Sequence, residues 1–170
     1  MTPRYFLLAV GILLGGCFRS EQAKFPLANA AAPFGDGGRY VVYAYVDGSR
    51  YDRQEIFVLK RRPDGAYDFT NEAGKTIAIS LYGIGDDRFA GQAISGKDGN
   101  AGYAYTVFQV TNQDAVLYLP KCDEQDKAMI AAFNVEMIGQ FECVIDRVRD
   151  PVQLFGRLSL GKPISKLVRE

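Results

Sequence analysis

Apolar and polar residues alternate along most of the chain between residues 39 and 120, in short runs that end at turn-forming residues. In the run KTIAISLY (75–82), Ile77, Ile79 and Leu81 fall on one side, with smaller residues between them. A period of two is what a β-strand needs when one of its faces is buried. The pattern therefore predicts a β-rich domain.

Seven such runs follow one another, separated by turns rich in Gly, Pro, Asn and Asp. They cover residues 39–46, 55–61, 66–70, 75–82, 88–95, 102–110 and 115–120. Short strands joined by short turns are typical of an antiparallel meander. An eighth strand is expected at GQFECVIDRV (139–148). About eight strands can close into an up-and-down barrel or remain a strongly twisted open sheet, and the pattern leaves both open.

Two helices are expected near the C-terminus. The stretch DEQDKAMIAAFN (123–134) begins with acidic residues, which suit the positive end of a helix dipole. Asp150 and Pro151 form an N-cap followed by proline at the first helical position, so a second helix is expected from there. The expected fold class is mainly β, a β-rich α+β domain over residues 39–163. Residues 164–170 are expected to form a loosely held tail.

The N-terminal residues have a different pattern. Met1 to Arg4 carries one positive charge, Tyr5 to Leu14 is apolar throughout, and two glycines then precede Cys17. A charged start, an apolar core of about 7–15 residues and a small-residue cleavage site describe a secretory signal peptide. The apolar run is too short for a membrane span, which needs about 20 residues. The pattern predicts that residues 1–16 are a signal peptide.

The end of that segment, Leu14-Gly15-Gly16-Cys17, resembles the lipobox of bacterial lipoproteins: an apolar residue, two small residues and a cysteine. The resemblance covers this segment alone, and Gly15 stands where Ala or Ser is more usual. It implies cleavage before Cys17, fatty acyl chains such as palmitate attached through that residue, and a membrane anchor in the cell envelope. Phe18, in place of Asp after the cysteine, favours the outer membrane, facing the periplasm, by the sorting rule of such lipoproteins. The alternatives are an ordinary cleaved signal peptide and an uncleaved anchor.

Residues 17–38 are rich in Ala, Gly and Pro and follow no period, so they are expected to form a flexible tether. Cys122 and Cys143 remain once Cys17 is acylated. An even number of cysteines in an exported protein predicts a disulfide, which would stabilise the fold by roughly 3 kcal/mol for a loop of about 20 residues. Two buried free thiols are the alternative.

Charge and composition exclude several classes of function. Lys and Arg together number 20, as do Asp and Glu, and no basic stripe is present, which argues against a nucleic-acid partner. The chain contains no histidine, so the His-dependent nucleophilic triads and imidazole metal sites are excluded. No catalytic residue, metal ligand or cofactor is assigned.

Four acidic residues in expected turns are the remaining candidates for chemistry. They are Asp86, Asp87, Asp98 and Asp114. Acid–base or calcium chemistry could be built from carboxylates. Adjacent strand residues point to opposite faces, however, so turn formation is the favoured interpretation, and a carboxylate-dependent enzyme ranks third among the functions considered.

Tyrosines are the main positive feature of the strands. The candidate ligand-binding residues are Tyr43, Tyr45, Tyr103 and Tyr105. If they shared a barrel interior with Ser80 and Gln92, they would line an apolar cavity with a few polar groups, as ligand sites require. Ordinary core packing is the alternative. The leading hypothesis is a non-catalytic, lipid-anchored binding module for a small apolar ligand or an envelope protein. A structural or assembly lipoprotein without a cavity, acting through a sheet edge or the C-terminal helix, is the alternative.

Overall fold

The structure, a computed structural model, describes residues 17–46, 49–96 and 102–170, without the side chains of residues 46 and 49–54. The predicted signal peptide and Asp98 lie outside the described residues. The strands are β1 Phe18–Ser20, β2 Gly37–Val46, β3 Ser49–Arg61, β4 Tyr67–Asn71, β5 Thr76–Gly85, β6 Arg88–Ser95, β7 Gly102–Thr111, β8 Asp114–Tyr118, β9 Glu136–Ile138, β10 Glu142–Val144 and β11 Pro163–Arg169. The α-helices are α1 Lys127–Ala132 and α2 Pro151–Arg157, and a 3₁₀ turn spans Leu27–Asn29.

Eight of the strands form a closed antiparallel barrel. Their order around it is β6-β5-β4-β3-β2-β11-β8-β7, and β7 pairs with β6 to complete the ring. Closure leaves no open edge around the ring itself. The mainly β class, the meander and the barrel form of the fold are therefore confirmed.

The strand that completes the ring is not the expected one. Residues 163–169, predicted as part of a loose tail, form β11, which hydrogen-bonds to β8 on one edge and β2 on the other. The segment 139–148 instead contributes β10, which lies outside the ring and pairs with β9 and β1. The prediction erred because β11 is held by backbone pairing on both edges, and its side chains alternate only weakly.

The prediction of a flexible tether over residues 17–38 is wrong. Phe18, Phe25 and Phe34 are 0%, 2% and 0% exposed. Phe18 lies on β1, Phe25 stacks on Tyr82 with ring centroids 4.8 Å apart, and Phe34 enters the barrel. Burying one such ring stabilises by roughly 1.5–3 kcal/mol, which outweighs the loop-forming composition around it.

Both predicted helices are present, and both are short. The Asp126 side chain caps α1 by accepting from the Met129 amide at 2.7 Å, and Asp150 caps α2 through the Gln153 amide at 2.8 Å. In α2, Leu154 and Phe155 are buried. No helix within residues 17–46, 49–96 and 102–170 is long and apolar enough to span a bilayer.

Two apolar clusters result, one on each side of the barrel wall. The inner cluster fills the barrel and includes Phe34, Tyr40, Tyr67, Phe69 and Phe108. The outer cluster lies against the outer face of β5, β6 and β7. It is completed by the N-terminal segment, α2 and the disulfide region: Phe18, Phe25, Cys122, Cys143, Leu154 and Phe155.

Candidate functional site

The barrel interior is packed around one aromatic ring. Phe34 makes edge-to-face contacts with Tyr40, Tyr67, Phe69 and Phe108, at centroid distances of 5.5, 5.7, 6.4 and 6.4 Å. These are favourable aromatic geometries, and the five rings occupy the space where a small ligand would lie inside a β-barrel.

Gly91 on β6 shows how tightly this interior is filled. A Cβ atom there would lie 2.8 Å from the side chains of both Phe108 and Thr106, closer than carbon atoms normally approach. The Tyr67 hydroxyl donates to the Gly35 carbonyl at 2.7 Å, while the buried Tyr40 hydroxyl has no hydrogen-bond partner among the described residues. Burial raises the pKa of both hydroxyls, so both remain neutral at physiological pH.

The four candidate tyrosines do not meet in one cavity. Tyr103 and Tyr105 lie on β7 and pack into the outer cluster, with Tyr105 fully buried. Tyr43 and Tyr45 lie on β2, which β11 and β8 separate from β7. Ser80 and Gln92 form a cross-strand pair between β5 and β6. That pair is on the outer face, since the neighbouring Ile79 and Leu81 side chains point inwards.

Gln92 and Tyr105 bind the N-terminal segment to the barrel wall. The Gln92 Oε1 atom accepts from the amides of Lys24 and Phe25 at 2.9 and 3.0 Å, and Nε2 donates to the Phe25 carbonyl at 3.1 Å. The Tyr105 hydroxyl accepts from the Lys24 amide at 3.2 Å. This polar clamp, formed by Gln92 and Tyr105, was missed from sequence, because an isolated Gln and Tyr on a strand carry no signal that they bind backbone groups.

The hydroxyl of Tyr105 serves as a structural hydrogen-bonding group. Burial raises the pKa of Tyr105 to about 12, although its hydrogen bonds with Ser20 and Lys24 partly offset that rise. The Ser20 hydroxyl donates to the Gln22 carbonyl at 2.6 Å, so its oxygen accepts the Tyr105 proton across 2.6 Å. The tyrosine is therefore neutral and has its hydrogen bonds satisfied.

Cys17, the residue predicted to carry the lipid, is held directly against the domain. It is half-buried, and its carbonyl accepts from the Cys143 amide at 2.7 Å. Strand β1 begins at the next residue and is sandwiched between β10, which is parallel to it, and β7, which is antiparallel. Arg19 on β1 forms an ion pair with Glu142 on β10.

The predicted disulfide between Cys122 and Cys143 is confirmed. Both residues are buried, and the bond joins the segment that follows β8 to β10. Because β10 also pairs with β1, the disulfide ties the neighbourhood of Cys17 covalently to the barrel.

Of the candidate acidic residues within the described ranges, Asp86 and Asp87 occupy a turn, and Asp114 is the first residue of β8. Asp86 and Asp87 have φ values of 51° and 56°, a left-handed conformation that Asp tolerates well, and they form the two-residue connection between β5 and β6. Asp114 accepts from the Arg169 amide at 2.9 Å. In the described ranges, no three His, Cys, Asp or Glu side chains group closely enough to hold a metal ion.

Two open depressions on the surface are lined by exposed residues. One, of about 610 Å³, is lined by Asp36, Lys60, Arg61, Arg62 and Pro63. The other, of about 390 Å³, is lined by Asp123, Lys127, Met137, Gly139 and Gln140. Both lie outside the barrel.

The hairpin of β2 and β3 extends beyond β4 on one side, whereas on the other side β11 pairs with β2 as far as Ala44. Strand β4 pairs with β3 only from Phe57 to Arg61, so residues 49–56 pair, among the described residues, with β2 alone. We call the hairpin portion formed by residues 43–46 and 49–56 the projecting arm, and it carries Tyr43 and Tyr45. It points towards the barrel end where β6 ends and β7 begins. Strand β1 is antiparallel to β7, so it runs towards that same barrel end. Cys17 precedes β1 and therefore lies on the side of β1 that faces away from the projecting arm.

Comparison with known protein families, with curated proteins and with solved structures finds no match for this chain. The functional proposal therefore rests on the sequence of the chain and on the geometry and chemistry of its fold.

Proposed function

We propose that this chain is an acylated protein of the bacterial envelope that binds a protein partner and performs no catalysis. Acylation would occur at Cys17, by the resemblance of residues 14–17 to a lipobox. Among the two kinds of ligand that the sequence leaves open, the structure favours a protein over a small apolar molecule.

The packed barrel interior is the observation that favours a protein partner over a small apolar ligand. A barrel that stores a small ligand keeps an internal cavity, typically about 300–1,000 Å³ for drug-sized molecules. Here the ring of Phe34 occupies the interior, and Gly91 has no room for even a methyl group. A small ligand would have to displace aromatic rings whose burial stabilises the fold.

The projecting arm is the surface we assign to the partner. Strand β3 offers backbone groups along residues 49–56, on the edge that β4 does not cover. An extended segment of a partner can add to such an edge by strand pairing, and tyrosines near it supply contact area at low entropic cost. The half-buried Tyr45 lies opposite Arg50 on this arm.

Two measurements on protein extracted from membranes test the proposal. Metabolic labelling should place a radiolabelled fatty acid on the wild-type chain and none on Cys17→Ser. Native mass spectrometry of the delipidated domain should find no stoichiometric small molecule. An apolar ligand that co-purifies at one equivalent would contradict the assignment of a protein partner, and an unlabelled wild-type chain would contradict acylation.

Cross-linking in cells tests the surface. We expect one envelope protein to be captured at near-stoichiometric yield, with the yield falling about tenfold for Tyr45→Ala, the size of a moderate interface hot spot. Val58→Ala is the matched control, because Val58 is an exposed β3 residue in the part that β4 covers. Equal capture by the two variants would rule out the projecting arm.

A further inference from the structure

We propose that the β9–β10 hairpin is a membrane-contacting surface that dips into the bilayer beside the acyl chains of Cys17. The inference rests on the proposed acylation of that residue and adds a fixed orientation of the domain on the membrane. It depends on how β1 and β10 are paired.

The parallel pairing of β1 with β10 sets the direction of the hairpin. Phe18 lies opposite Cys143, so Cys17 is level with Glu142. The turn at residues 139–141 directly precedes Glu142 and therefore extends past Cys17, on the side from which the chain enters β1. Acyl chains on Cys17 and the tip of this hairpin thus leave the domain on the same side.

The hairpin exposes apolar side chains on that side. Phe141, in the turn, is 61% exposed and Ile138, at the end of β9, is 46% exposed. Met137 is also exposed, and every residue of β9 faces solvent. Several adjacent exposed apolar residues on an edge strand and its turn mark a contact surface, whereas single ones elsewhere, such as Val58, are ordinary.

Charges around the hairpin are mixed in sign. Lys127 lines the depression beside Met137, but so does Asp123. Lys121 is paired with Glu124, and Arg19 is paired with Glu142. This balance does not provide the basic cluster that recognises anionic lipids, so the contact is apolar insertion and a zwitterionic bilayer suffices.

The connection between anchor and domain is short and stiff. Cys17 is hydrogen-bonded to β10, and β10 is tied to the barrel through the disulfide of Cys143. With no linker between the acylated residue and the first strand, the hairpin cannot move far from the bilayer once the acyl chains are inserted. The local concentration of lipid at the hairpin is then high, and even a few apolar side chains contribute to docking.

The chain contains no tryptophan, so one introduced indole reports its own position. Full-length acylated Phe141→Trp would be reconstituted into phosphatidylcholine vesicles, with and without brominated phosphatidylcholine. We expect its emission to shift to the blue on reconstitution and to be largely quenched by the brominated lipid. Ile138→Trp, on the adjoining strand, should behave in the same way.

Val58→Trp is the matched control, because Val58 is 48% exposed on β3, across the ring from β7. It should show neither the shift nor the quenching.

If the acyl label is present and the indoles introduced at positions 141 and 138 are not quenched, the hairpin proposal fails while the proposed anchor stands. Equal quenching at positions 58 and 141 would mean that the domain has no fixed orientation on the membrane, and it would also overturn the hairpin proposal. Lack of the acyl label would overturn both proposals. Protection of position 141 from iodide in native membranes, without quenching in vesicles, would overturn the bilayer contact and assign the hairpin to a protein instead.

Discussion

The backbone carbonyl of Cys17 accepts a hydrogen bond from the amide of Cys143 across 2.7 Å. The residue predicted to carry the lipid is thus a direct neighbour of one half of the disulfide. Cys17, the disulfide and the barrel are thus directly connected, and the order of the N-terminal segment should depend on the groups that bind it.

The disulfide should contribute measurably to stability. Replacing Cys122 and Cys143 together by Ala removes the constraint on a loop of 21 residues and should lower the free energy of unfolding by roughly 3 kcal/mol. Urea denaturation of the oxidised wild type and the double variant measures this. Dithiothreitol should destabilise the wild type and leave the variant unchanged, and equal responses would contradict the prediction.

The polar clamp should protect the N-terminal segment from proteolysis. Gln92→Ala leaves the Phe25 amide without its acceptor and the Lys24 amide with Tyr105 alone, at a cost of about 2 kcal/mol. Trypsin should then cleave after Lys24 faster than in the wild type. Gln109→Ala is the control, because Gln109 is exposed on β7, and it should be cleaved at the wild-type rate. An unchanged rate in Gln92→Ala would contradict a holding role for the Gln92 hydrogen bonds.

Two interior tyrosines should respond in opposite ways to loss of the hydroxyl. Tyr67→Phe removes the hydrogen bond to the Gly35 carbonyl and should destabilise by about 1 kcal/mol. Tyr40→Phe removes a buried hydroxyl that has no partner among the described residues, so it should be neutral or stabilise by up to about 1 kcal/mol. Thermal and urea unfolding compare the pair, and a larger loss for Tyr40→Phe would contradict this account of the interior.

Tyr105 should make the fold sensitive to alkali. Its pKa is raised from 10.0 to about 12 in the folded protein, chiefly by burial. Below pH 10 both folded and unfolded states keep the proton and the stabilisation is complete. Between about pH 10 and 12 only the folded state keeps it, so stability falls by up to about 1.4 kcal/mol per pH unit for this one proton.

The variant Tyr105→Phe should flatten that slope. It also loses hydrogen bonds at neutral pH, so the comparison is between slopes of unfolding free energy over pH 9–12 and not between absolute stabilities. Tyr40, Tyr67 and Tyr82, whose pKa values burial also raises, leave a residual slope. Identical slopes in variant and wild type would contradict the shift at Tyr105.

The strands of the meander could be predicted from sequence because each buries one face, as the alternation in 75–82 shows. The closing strand could not, because β11 takes its place through hydrogen bonds on both edges, and its one fully buried apolar residue is Leu167. The N-terminal segment looked like a tether because composition records the many Ala, Gly and Pro residues. Composition does not show that the few phenylalanines between them are buried against the barrel or inside it.

The candidate site was harder to predict for a related reason. Alternation identified Tyr103 and Tyr105 as sharing a face, but it could not tell the inside of a barrel from an outer face that a second layer covers. Both environments are apolar. The disulfide was predictable, because the chain was expected to be exported and to keep two cysteines apart from Cys17, which have one possible pairing.

The position of β11 sets a limit on when this barrel can form. Until residues 163–169 are available, β2 and β8 each keep an unpaired edge, and the ring stays open. Any interaction that holds this segment away from β2 and β8 therefore prevents the last closure step. We expect chains truncated before Pro163 to self-associate through the two open edges.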